Sequence, residues 1–111
     1  MSAASEVERI VEQGGEADDM LRRVVSTVAR EPAVSWAGIA FVEEGSLRLG
    51  PAAGDPDESR RRQVSIPFQG SPVGELWLDG ELPAGELDRI AGLIAPLVLI
   101  GWDTGGVAWD P

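Results

Sequence analysis

The chain holds no cysteine, no histidine and no lysine in 111 residues. Without Cys there is no disulfide, no thiol nucleophile and no thiolate metal site. Without His, the commonest general base and the commonest transition-metal ligand are missing. Without Lys, Schiff-base chemistry is closed. The nine basic residues are all Arg and face 19 acids, giving a net charge of −10. That balance argues against nucleic acid, whose phosphates need a basic surface. It is also the wrong sign for anionic lipid. The longest strongly apolar run, Leu93 to Ile100, is far too short to cross a bilayer. No basic start leads into an apolar stretch, so no signal peptide is expected. The expectation is a soluble cytoplasmic protein with no nucleic-acid or membrane partner, no cofactor and no metal.

What is present suits one folded domain. Apolar residues make up 43% of the chain, the share of a globule rather than a disordered segment. Residues 4–13 read as a short helix, with Ser5 and Glu8 spaced as a capping box and Val7, Ile10 and Val11 on one face. Residues 16–30 read as a second helix, striped by Met20, Leu21, Val24, Val25 and Val28 and stopped by Pro32. A strand over 35–43 is apolar or small on both faces, which places it centrally; Glu44-Gly45 turns into a second strand over 46–52. The segment 54–62 carries loop chemistry, acids followed by three arginines. The third strand, 63–69, contains Pro67 and reads as an edge. A turn at Gly70-Ser71 leads to a fourth strand, 73–79. The last helix starts near Ala84 with Leu87, Ile90, Ala91, Ile94, Leu97 and Val98 as its buried stripe, and Pro96 is expected to kink or end it. The order predicts an α+β fold: a four-stranded antiparallel sheet backed by N- and C-terminal helices.

The strand alternation sorts the faces. Ile39, Phe41, Val64, Ile66, Phe68, Leu76 and Leu78 form the set the helices should cover. The other face offers Trp36, Gln63, Ser65, Glu75, Trp77 and Asp79. Two readings stand for it. Trp36 and Trp77 stack on a small ligand while Gln63, Glu75 and Asp79 make polar contacts, or the indoles simply cover a bare sheet face. The Gly-rich tail with Trp102 and Trp109 has several readings too: a roof over that face, a binding element for another protein, or a disordered end.

Residues 16–100 resemble a GAF domain, through the helix, the two hairpins SWAGIAFVEEGSLRLGPAAG and VSIPFQGSPVGELWLDGE, and the closing helix. Within that superfamily the chain is most similar to free methionine-(R)-sulfoxide reductases. The matching positions are Trp36 and Gly38; Leu47, Leu49, Gly50, Pro51 and Gly54; Ile66-Pro67; and Gly74 to Asp79. The resemblance divides the chain into a helical extension (1–15), a minimal GAF-like domain (16–100) and a tail (101–111). It assigns Trp36 and Asp79 to a substrate site. It also exposes departures: Trp77 replaces the family's first Asp, Gln63 a carboxylate, and Ala40 an aromatic. The family's cysteines are absent, and Asp55 to Gln63 replace its long lid segment. The resemblance therefore implies a degenerate, non-catalytic GAF-like module for small-ligand sensing or protein association, with a homodimer through the terminal helices. The alternatives are an adaptor acting through its acidic Trp-rich tail, or a remnant reductase that borrows a partner's thiol.

Overall fold

The computed structural model describes residues 2–100. The tail readings, which concern Trp102 and Trp109, lie outside the described residues. The elements run α1 (Ala3–Gln13), α2 (Ala17–Ala29), β1 (Val34–Glu43), β2 (Ser46–Gly54), a 3-10 turn (Glu58–Arg60), β3 (Arg61–Phe68), β4 (Ser71–Gly80) and α3 (Ala84–Ile100). The sheet is antiparallel throughout, in the order β2-β1-β4-β3. β1 is central and β3 is an edge, where Pro67 withholds no donor that the interior needs.

Each helix buries the stripe its sequence dictates. Met20, Leu21, Val24, Val25 and Val28 of α2 are buried, as are all six expected positions of α3. They meet Ile39, Phe41, Ile66, Leu76 and Leu78 in one core, with Val64 and Phe68 packed against it. α2 covers the β1–β2 half of the sheet, and α3 covers the β3–β4 half. α1 packs on α2 and α3. Its Ala3, Ala4, Val7 and Ile10 join the same core, and the Ala4 N–H donates to Glu86 Oε1 at 3.2 Å. The opposite face of the sheet carries the two sheet tryptophans.

Four local expectations need correction. The N-cap of α1 is Ser2, not Ser5: Ser2 Oγ accepts the Ser5 N–H at 3.1 Å. Ser5 lies three residues on, inside the first turn, where its own N–H is the one to be capped. β3 begins at Arg61, so two of the three arginines belong to a strand rather than a loop. The second hairpin turns at Gln69-Gly70, one residue earlier than expected, because Ser71 already pairs with Phe68. Both hairpins then use the same device: Glu44 and Gly45 (φ 51° and 81°) and Gln69 and Gly70 (φ 53° and 86°). Two left-handed residues in succession match the right-handed twist of the flanking strands. Finally, α3 continues past Pro96 to Ile100, so Pro96 does not end it. Pro96 removes the donor for the Gly92 carbonyl, but both residues lie on the exposed face, where water can serve that carbonyl.

Three bulges set the register, one of them between Ile66 and Pro67, where β4 carries the extra Val73. Between Gly38 and Ala40, which pair with Ala52 and Leu49, β2 carries two residues, Gly50 and Pro51, against one on β1. A bulge tolerates a residue with no N–H. Between Val34 and Trp36 the extra residue is on β1. It lets Val34 enter the core while Trp36 joins the opposite face.

Candidate functional site

The register aligns the outer face in rows. Asp79 lies between Trp36 and Arg61, and Trp77 between Gly38 and Gln63. Glu75 lies between Ala40 and Ser65. Trp36 is buried although it stands outside the main core. Its ring lies along the strand over Gly38: a Cβ built there would come within 2.7 Å of the indole. Gly38 is thus small because the indole occupies its space.

Arg61 organises the rest. Its guanidinium carbon sits 4.3 Å from the centre of the Trp36 ring and 5.7 Å from that of Trp77. Both distances fall within cation–π range. Arg61 Nε donates to Asp79 Oδ1 at 2.7 Å, and Nη2 donates to Oδ2 at 2.9 Å. This is the two-pronged geometry that a guanidinium and a carboxylate share. The Asp57 N–H donates to the same Oδ2 at 2.6 Å. Asp57 in turn caps the 3-10 turn, its Oδ1 accepting from the Ser59 N–H and hydroxyl. Asp79 is fully buried and the Arg61 side chain is 16% exposed. The Arg61 hydrogen bonds hold the Asp79 carboxyl below the usual carboxylate range; burial pushes it up, while the Asp57 N–H and the charges of Arg61 and Arg60 lower it further. The same hydrogen bonds raise the pKa of Arg61.

The other expected site residues lie beside this cluster. Trp77 Nε1 donates to Glu75 Oε1 at 2.8 Å. Both are half-buried, and Gln63 is exposed on the edge strand. Trp36, Trp77, Asp79, Glu75 and Gln63 are therefore neighbours on one face. Two participants were missed by sequence reasoning, Arg61 and the Asp57 backbone. Carrying the β3 alternation back from Val64 and Ile66 puts Arg61 on the Asp79 face, a signal hidden by the loop-like run of arginines.

Chemically the cluster is closed. Asp79 is ionised and takes three donors, which makes it a poor proton acceptor near neutral pH. The remaining arginines of the run are also engaged: Arg60 Nη2 donates to the Ala33 carbonyl at 3.3 Å, and Arg62 Nη1 to the Leu82 carbonyl at 3.5 Å.

No protein-family model and no curated protein matches the sequence. Solved structures do. The GAF domain of an Acinetobacter phosphoenolpyruvate-protein phosphotransferase superposes with a TM-score of 0.68, covering 88% of this chain and 94% of that one. The fold is GAF-like. Sequence identity to that domain is 10%. The GAF-like fold is shared with fRMsr of Staphylococcus aureus in complex with substrate (15% identity, 86% and 93% covered, TM-score 0.66). It is shared again with a type II free methionine-R-sulfoxide reductase from Thermoplasma acidophilum (18% identity, 80% and 94% covered, TM-score 0.62). At these identities the likeness is one of fold, and fold alone does not carry activity.

Proposed function

We propose that this chain is a non-catalytic GAF-like module that works by association with a second copy of itself. The observation that carries the reading is where its exposed apolar side chains lie. Among the described residues the large exposed hydrophobics are Val42, Leu47, Leu49, Leu99 and Ile100. They fall in two groups, Val42, Leu47 and Leu49 on the outer face of the β1–β2 hairpin and Leu99 and Ile100 at the end of α3. Val42 pairs with Leu47, and Leu49 follows on the same strand face. Val42 and Leu99 line one groove of about 160 Å³ with Phe41, Pro72, Val73 and Val98. Ile100, 72% exposed, continues α3 past it. Exposed apolar side chains from two elements that meet at one groove mark an interaction surface. A second copy always brings the same patch, so a two-fold dimer is self-complementary. Of the two terminal helices, the end of α3 contributes, whereas the apolar stripe of α1 is spent in the chain's own core.

Sulfoxide reduction by a protein thiol is not supported, because the chain has no cysteine. A second reading, small-ligand sensing at Trp36, Gln63, Glu75, Trp77 and Asp79, rests on the aromatic and acidic character of that face. It requires Arg61 to swing out from between the indoles and to release Asp79. No described helix is long and apolar enough to cross a membrane; a cytoplasmic location belongs to the same proposal. Sedimentation equilibrium tests the association. A dimer is expected for the full chain, and Leu47→Glu with Leu99→Glu should shift it to monomer while leaving the circular dichroism spectrum unchanged. A full chain that stays monomeric across the concentration range contradicts the proposal.

A further inference from the structure

We infer that the cleft between α1 and α2 binds a small oxyanion of the phosphate type. The cleft encloses about 320 Å³, at the small end of ligand sites. From α2 it takes Arg23 and Thr27, and from its C-cap Arg30, spaced so that they lie on one side of the helix. From α1 it takes Glu6, Arg9, Ile10 and Gln13. Three of the chain's nine arginines therefore meet in one concavity, in a protein of net charge −10. Its lining holds three arginines and one carboxylate, so the cleft is locally positive on an acidic molecule.

Arg23 and Arg30 differ from the arginines of the 60–62 run. That run is tied to Ala33, Asp79 and Leu82. Among the described residues, Arg23 and Arg30 have no ion-pair partner. Arg23 Nη2 donates to Gln13 Oε1 at 2.7 Å, which ties α2 to α1 at the cleft while using one of five donors. Thr27 is buried against the cleft floor between the two arginines. Converging guanidinium groups match a tetrahedral dianion better than a single carboxylate, each fork taking two oxygens. The cleft lies on the helix side of the sheet, remote from the tryptophan face. The inference is therefore independent of the dimer and of Arg61.

Titration of the full chain with inorganic phosphate, pyrophosphate and acetate at constant ionic strength tests it, read as melting temperature and by calorimetry. Saturable stabilisation by phosphate or pyrophosphate is expected, and acetate should be without effect. Arg23→Gln and Arg30→Gln replace exposed side chains. Each should weaken binding by about tenfold or more, as expected for a lost hydrogen bond to a charged group. Arg60→Gln, outside the cleft, should bind as the wild type does. No saturable response of the folded wild type would overturn the inference. So would acetate binding as tightly as phosphate, or equal loss on replacing Arg60.

Discussion

Arg61 satisfies three neighbours at once, and the outer face depends on it. Removing either member of a buried ion pair strands the other charge, which costs more than the pair itself contributes. Asp79→Ala is expected to lower stability by about 3 kcal/mol, measured by urea denaturation. Because the folded pKa of Asp79 is depressed, its contribution is full above the ordinary carboxylate pKa of about 4 and is lost as pH falls through the lower folded value. The gap between wild type and Asp79→Asn should accordingly hold steady from neutral pH down to roughly 5 and close in stronger acid. At this scale the sequence was half legible. Period-two alternation placed Trp36, Trp77 and Asp79 on one face. It did not reveal the guanidinium between the indoles, because Arg61 sits in a polar run, and its pairing with Asp79 depends on a register shift between Ile66 and Pro67.

Helices and strands followed from hydrophobic period, and their ends from chemistry that acts over one or two residues. The two hairpin turns share one imperfection. Both place a non-glycine residue in the left-handed region, Glu44 and Gln69. Asn is the side chain best suited to that position before Gly. Gln69→Asn is expected to raise stability by about 0.5–1 kcal/mol, checked as an upward shift in melting temperature. The error at Gly70-Ser71 arose because a left-handed Gly at the first position also suits a type II′ turn, and only strand pairing selects between the two. Pro96 does not end α3 for a related reason: its cost depends on whether water reaches the Gly92 carbonyl, which is a property of the whole helix environment.

All three helices stand on one side of the sheet, so the molecule has a sealed core on that side and, on the other, a self-satisfied polar–aromatic cluster beside the exposed Val42, Leu47 and Leu49. The short connection through Asp55–Arg60 makes this layer possible, since it brings the Asp57 N–H and Arg61 directly onto Asp79. The charge of −10 acts on the whole molecule. Two such copies repel one another over a Debye length of about 8 Å at physiological salt. If apolar surface drives the dimer, raising salt from 50 mM to 500 mM should tighten it, as seen by sedimentation; an interface built on ion pairs would loosen instead. Fold class and layer order were legible in the sequence. The cleft between α1 and α2 was not, because Arg9, Arg23 and Arg30 come together only when α1 packs on α2.

The most direct measurement is tryptophan emission of the full chain titrated with free methionine, methionine sulfoxide and cyclic nucleotides. With Arg61 seated between Trp36 and Trp77 and both Asp79 oxygens engaged, the account predicts no saturable change with any of them. A saturable quench or shift would show that a ligand displaces Arg61, and would contradict a face closed from within.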